Sequence, residues 1–283
     1  MSAADFLASM AASSRARSVA AQAQVGEAAL LSQAEATPLP PRLQLSPQRF
    51  DLIAEVKLRS PAVGQLKNGE ENIAARVARY AEAGAAAISV LTEPSRFDGS
   101  LEHLQQAVAA LGARAPAMRK DFIVDPYQVI EARLAGAGGV LVILRMLDRA
   151  AIDALLRMAA QLQLFVLLEA FDEADIDVAG DLLAMHGATA AQAQAPLLVG
   201  LNCRDLTTLQ VVPGRLEQLA AALPRHAPRV AESGVASAED AARMAAAGYD
   251  LALVGSALMQ HTEPLQLVAA MLAAGRAARG AGE

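Results

Sequence analysis

Three lysines, Lys57, Lys67 and Lys120, stand in a chain of 283 residues whose other 21 basic side chains are all arginine. A compact ammonium can give up a proton and serve as general acid or nucleophile, which a guanidinium cannot. Two of the three sit among polar groups at the ends of short apolar runs. Lys57 closes Glu55-Val56-Lys57, ahead of Arg59-Ser60-Pro61, and Lys120 lies in Arg119-Lys120-Asp121-Phe122. Other runs end in Glu169, in Asn202 and Arg204, in Glu232-Ser233-Gly234 and in Gly255-Ser256. Lysines among carboxylates and a carboxamide form an acid–base set, in which each charge tunes the proton affinity of its neighbours. The rival reading is a purely structural ion-pair network. Buried ion pairs stabilise poorly compared with apolar packing, which favours the functional reading.

The elements that must carry these groups follow from the pattern of the chain. Apolar or β-branched runs occur at FDLIAEV, AAISVL, APAMRKDF, GGVLVIL, LFVLLEA, PLLVGLN, RVAESGV and LALVGSA. Alanine-rich segments with helical spacing separate them, and several stop at a glycine suited to a left-handed cap, as at Gly84, Gly136 and Gly248. Eight strand–helix alternations predict an α/β protein, a closed (β/α)8 TIM barrel with an N-terminal helical extension. An open doubly wound sheet is the alternative, but its glycine-rich dinucleotide turn is missing from the sequence. The expected layout is a helical extension over 1–49, packed on the barrel and broken at Pro38, Pro40 and Pro41. The barrel follows over 50–275, with a disordered tail at 276–283. Residues 186–196, HGATAAQAQAP, read as a surface excursion without chemistry.

Barrel active sites lie at the C-terminal ends of the strands, where these polar residues cluster. Period-two alternation puts Glu55 with Lys57, Lys120 with Phe122, and Asn202 with Arg204 on common faces. Ser233-Gly234 and Gly255-Ser256 pair approachable backbone amides with hydroxyls at the last two strands, a way barrels hold phosphate.

Composition excludes several other classes. A net charge of −6 with 3% aromatic residues argues against a nucleic-acid partner. Mean hydropathy is +0.30, yet no uninterrupted apolar stretch is long enough to span a membrane. The start, MSAADFLASM, lacks a basic leader region, so the expected compartment is the cytoplasm. The single cysteine, Cys203, rules out an internal disulfide and is expected to face the helices as a packed apolar group. Histidines His103, His186, His226 and His261 lack metal-ligand spacing and read as solvated, so no metal site is expected from them.

Seven segments in order, LIAEVKLRSP, AISVLTEPSRFDGS, MRKDFIVDPYQVIEARLAGAG, LLEAFDE, VGLNCRDL, VAESGV and LVGSALM, give the chain a likeness to a known family. From about Phe6 to about Met259 it resembles indole-3-glycerol-phosphate synthases. The resemblance implies decarboxylating, dehydrating ring closure of 1-(2-carboxyphenylamino)-1-deoxyribulose 5-phosphate, in tryptophan biosynthesis and without metal or organic cofactor. It implies Lys120 as general acid for ring closure. Lys57 and Glu55 belong to the acid–base set for dehydration, with Glu169 as stabiliser or base, and the choice of glutamate stays open. Asn202 orients the substrate. Arg204, Ser60, Glu232, Ser233, Gly234, Gly255 and Ser256 bind its polar groups and phosphate, and Phe97 and Phe122 wall its aromatic ring. A monomer or weak homodimer is expected.

The chain departs from that family at Ala62-Val63-Gly64, where Ser-Lys-Gly is common, and Lys67 or Arg59 is a candidate replacement for the missing base. Gly138-Gly139 stand in place of Ala-Asp, Arg145 occupies a usually uncharged strand end, and Cys203 replaces an asparagine. Two rival readings are a Schiff-base aldolase using Lys120 as nucleophile and a catalytically silent paralogue that binds a phosphorylated metabolite.

Overall fold

The computed structural model describes residues 3–48, 50–60, 64–66 and 71–280; Pro61, Ala62, Val63 and Lys67 lie outside them. Two helices, α1 (Ala3–Gln24) and α2 (Glu27–Ala36), precede the first strand, β1 (Asp51–Val56). A small antiparallel pair follows, β2 (Arg59–Ser60) with β3 (Gly64–Gln65). The chain then alternates through α3 (Ile73–Glu82), β4 (Ala87–Leu91), α4 (Pro94–Phe97), α5 (Leu101–Leu111), β5 (Ala117–Lys120), α6 (Pro126–Leu134) and β6 (Gly139–Ile143). It continues through α7 (Arg149–Gln161), β7 (Phe165–Ala170), α8 (Glu173–Gln192), β8 (Leu197–Asn202), α9 (Arg215–Leu219) and β9 (Arg229–Glu232). The last elements are α10 (Ala238–Ala246), β10 (Leu251–Val254), α11 (Ser256–Gln260) and α12 (Pro264–Gly280).

Eight of these strands close into a parallel barrel, each beside the next, with β10 returning to β1. The predicted (β/α)8 barrel with its helical extension is the observed architecture. Every expected apolar run contains one barrel strand. The alternation of each strand divides the core in two. On β1, Leu52, Ala54 and Val56 pack outward against the helices, while Ile53 points inward. Inside, Ile53, Ala87, Met118, Leu141, Leu167, Leu198, Val230 and Leu251 plug the barrel. The polar groups are thereby confined to the layer above this plug, at the strand ends.

Local chemistry sets the helix boundaries. Asn72, Asp125, Asp148, Asp172 and Ser237 cap the starts of α3, α6, α7, α8 and α10 by accepting from backbone N–H groups of the first turn. Gly84, Gly136 and Gly248 turn the chain at φ values of +96°, +87° and +102°, so that each helix folds back into the next strand.

Two segments differ from the sequence expectation. Residues 186–192 are the last turns of α8 rather than an excursion. An alanine-rich stretch with no proline before Pro196 simply prolongs the helix. His186, expected to be solvated, lies on that extension with Nε2 2.8 Å from Asp153 Oδ1 of α7. The helix α12 also runs on to Gly280, so 276–280 are ordered, not a tail. Arg276 donates to Asp51 and the Phe50 carbonyl, and Arg279 donates to Asp250, which fastens this turn to the base of the barrel. No helix among the described residues is long and apolar enough to cross a membrane.

The extension is tied to the β5 side of the barrel. Arg17 of α1 donates to both oxygens of Asp121, at 2.8 and 3.1 Å. Ser14 accepts from Gln128 at 2.8 Å, and the Tyr127 hydroxyl donates toward the carbonyls of Ala21 and Val25. These bonds hold the N-terminal end of α1, with Phe6 and Leu7, over the barrel mouth.

Candidate active site

A cavity of about 460 Å³ opens at the C-terminal ends of the strands. It is lined by every residue singled out from the sequence as catalytic: Glu55, Lys57, Lys120, Glu169 and Asn202. It is lined as well by the expected substrate contacts Ser60, Phe97, Phe122, Arg204, Glu232, Ser233, Gly234, Gly255 and Ser256.

At its floor, alternation aims Glu55 inward from β1, and Lys57, two residues on, meets it with Nζ 2.8 Å from Oε1. Lys120, at the end of β5, reaches across the mouth to 3.7 Å from Glu169 Oε1 and 3.9 Å from Glu232 Oε2. Asn202 donates from Nδ2 to Glu169 Oε1 at 2.7 Å and accepts from the Arg204 backbone N–H at 3.0 Å. The Arg204 guanidinium is held by the carbonyl of Leu209. Glu55, Glu169 and Glu232 are all buried.

Two glycines, Gly255 just after β10 and Gly200 within β8, make room for these carboxylates. A Cβ on Gly255 would lie 2.3 Å from Glu55 Oε1 and 3.0 Å from Lys57 Nζ, so no larger residue fits beside that pair. Gly200 of β8 does the same for Glu232.

The charges set one another's proton affinity. Burial opposes ionisation of Lys120, but Glu169, Glu232 and Glu55 outweigh it and raise its pKa above the ordinary lysine value. Burial likewise opposes ionisation of Glu55, yet Lys57, Lys120 and Arg204 prevail and lower its pKa. Glu232 goes the other way. Burial, then the adjacent Glu169, push its pKa well up against the pull of Lys120. Neither of its oxygens accepts a protein hydrogen bond among the described residues. The site therefore holds cationic lysine, anionic Glu55 and a carboxyl at Glu232 biased toward its protonated form.

The walls are apolar on one side and rich in backbone and hydroxyl groups on the other. Phe122 packs edge-on to Phe6 at 6.0 Å between ring centres and tilted against Phe97 at 6.2 Å. Opposite, Ser233 and Gly234 follow β9 with φ of +68° and +72°. For a serine this is an uncommon, strained conformation of the kind that collects at functional sites. Cys203 is buried against the helix side of the barrel with its thiol toward the Ser233 carbonyl at 3.5 Å, facing away from the cavity as expected.

Sequence reasoning did not assign Phe6 or Leu7 of α1 to the site, nor Phe171 or the loop residues Leu206, Leu209, Gln210 and Val211. Phe6, Leu7 and Met10 form one apolar helical face, and that face was the available signal. Arg145 lies outside the lining. Its charge is met by Asp172 and Asp175.

Comparison with known proteins places this geometry in a family. The model of the indole-3-glycerol phosphate synthase family matches residues 7–271. The indole-3-glycerol phosphate synthase of Mycobacterium ulcerans is 38% identical over 264 residues, covering 92% of this chain and 91% of the relative. That of Micrococcus luteus is 41% identical over 229 residues, covering 81% and 80%. Among solved structures, 3-hexulose-6-phosphate synthase from Salmonella typhimurium superimposes with a TM-score of 0.56 at 15% identity, over 79% of this chain and 97% of that one. That likeness speaks for the barrel alone. By the family match and by relatives spanning nearly its whole length, the chain belongs to the indole-3-glycerol phosphate synthase family.

Proposed function

We propose that Lys120 is the general acid of the ring closure by which this carboxy-lyase of tryptophan biosynthesis makes indole-3-glycerol phosphate. The observation that carries the assignment is the position of its ammonium, within 4 Å of Glu169 and Glu232 at the floor of the cavity. The ring carbon bearing the carboxylate attacks the ribulose carbonyl while Lys120 delivers a proton to the oxygen. Loss of CO₂ restores the aromatic ring. The hydroxyl then leaves as water on a proton from the acid set, and a carboxylate removes a proton from the adjacent methylene. Lys57 paired with Glu55, and Glu169 fixed by Asn202, supply the two acid–base groups this second stage needs. Glu232, whose pKa burial pushes up, lines the cavity where it can hydrogen-bond the substrate's hydroxyls.

The phosphate of 1-(2-carboxyphenylamino)-1-deoxyribulose 5-phosphate sits, on this reading, against Ser233, Gly234, Gly255 and Ser256, with Ser60 and Arg204 nearby. Its aromatic ring lies against Phe97 and Phe122. The enzyme works in the cytoplasm, where its one buried thiol stays reduced.

A Schiff-base aldolase would need Lys120 as a neutral amine, and Glu169 and Glu55 favour its charged form. The test is stoichiometry and trapping. The synthase reading requires one CO₂ per indole product and no borohydride-trapped adduct on Lys120. A trapped adduct, or indole formed without CO₂, overturns it.

A further inference from the structure

The apolar wall of the cavity does not end at Phe122. Ile143 of β6 lies in register with Glu169 of β7, and both line the cavity. Two residues beyond them come Arg145, in a short 3-10 turn that follows β6, and Phe171, just past the end of β7. Phe171 is buried, lines the cavity, and belongs to the same apolar cluster as Phe6, Phe122 and Ile143. The Arg145 guanidinium lies over the Phe171 ring, 4.9 Å from its centre. Arg145 Nε donates to Asp175 Oδ2 at 2.7 Å, and that same oxygen accepts the Phe171 backbone N–H at 2.8 Å. Asp172, which caps α8 by accepting from the Asp175 N–H at 3.1 Å, also accepts from Arg145. Ring, backbone and the start of α8 are thus held by one cation.

We infer that Phe171 is a substrate-contacting residue that completes the aromatic-ring wall above Glu169, and that Arg145 is the positioning residue that holds it there. The inference rests on the synthase reading. An arginine stacked on the outer face of a ring leaves the inner face for an apolar ligand, and the two aspartates keep its charge from the cavity. A cavity walled by Phe122, Ile143 and Phe171 grips a flat aryl group from three strands. Recognition of the sugar phosphate is left to the far side.

Steady-state kinetics of wild type, Phe171→Leu, Phe171→Ala, Arg145→Met and Arg145→Lys provide the test. The chain has no tryptophan, so indole fluorescence reports product alone. Losing a ring contact of this kind is worth about tenfold in affinity. Phe171→Ala is expected to raise KM about tenfold with kcat changed less than about threefold, and Phe171→Leu to fall between it and wild type. Arg145→Met should raise KM in the same direction, and Arg145→Lys should restore part of it, as a shorter cation can meet the aspartates without stacking as well. Inhibition by inorganic phosphate should be unchanged in all four variants. If Phe171→Leu and Phe171→Ala keep KM within about twofold of wild type, the wall role is overturned. If Arg145→Met lowers Tm and leaves KM unchanged, its role is structural and the positioning inference fails. Absence of turnover in the wild type would instead overturn the synthase reading, which keeps the two failures apart.

Discussion

Gly200 and Glu232 cannot both carry a side chain: a Cβ on Gly200 would lie 2.0 Å from Glu232 Oε1 and 3.0 Å from Leu167 Cδ1. The buried carboxyl occupies space that β8 leaves open, and the floor of the cavity depends on this vacancy. Gly200→Ala should therefore push Glu232 toward Lys120 and Glu169 and lower kcat by at least about tenfold, at an overpacking cost of about 1–3 kcal/mol in stability. Paired measurements of kcat and urea midpoint check it. A variant with full activity would show that the site tolerates a displaced Glu232.

Glu232 also makes stability depend on pH in a direction unusual for a carboxylate. Its pKa is raised in the folded protein, with burial the main cause, so the folded state binds the proton more tightly than the unfolded chain. That contribution is fully present below the ordinary glutamate pKa and is lost as pH rises through the folded value. Glu232→Gln cannot ionise. Its Tm, relative to wild type, should improve as pH is raised from about 5 to about 9, since ionisation penalises only the wild type over that range. Parallel melting curves across pH would contradict the assignment.

Asp121 works the opposite way. Burial opposes its charge, but Arg119, Arg17 and Thr92 hold its pKa down to about 2 from an ordinary 3.8. A depressed carboxylate stabilises the fold above the unfolded pKa, and this is lost as pH falls through the folded one. The shift corresponds to about 2 kcal/mol at neutral pH. Asp121→Asn should lower stability by at least that much at pH 7, because it also takes from buried Arg119 one of its two carboxylate partners, leaving only Glu131. The deficit should shrink below about pH 3. Denaturant titrations at the two pH values would show it.

Much of this site was legible before the fold was known, for a definite reason. Strands of a parallel barrel are covered on both faces, so each reads as a short apolar run. A charged residue at the end of such a run has little role except at the mouth. Period two then assigns its face, which is why Glu55 with Lys57, and Asn202 with Arg204, fall where alternation puts them. What stayed hidden depends on partners distant in sequence. The apolar face of Phe6, Leu7 and Met10 is plain, but nothing in those residues says that it covers the mouth; Arg17 and Asp121, 104 positions apart, decide that. Arg145 looked out of place at a strand end because Asp172 and Asp175, which meet its charge, follow the next strand. The ends of α8 and α12 were misplaced because alanine-rich helices carry no internal stop signal, and only caps and packing end them.

The pair at the end of β1 should matter to the second stage of the reaction more than to the fold. Lys57 is ion-paired to Glu55 in a slot kept open by Gly255. Lys57→Met is expected to reduce kcat by about 100-fold or more with KM changed far less, as loss of an acid–base group does. An effect confined to KM would make Lys57 a binding residue.

The central claim is that Lys120 protonates the substrate carbonyl. The most direct test is growth of indole fluorescence from 1-(2-carboxyphenylamino)-1-deoxyribulose 5-phosphate, in wild type and in Lys120→Ala, with folding checked by circular dichroism. The account predicts turnover by the wild type and a loss of about 10³-fold or more in the folded variant. Turnover by Lys120→Ala within about tenfold of wild type would remove Lys120 from the chemistry and contradict the account.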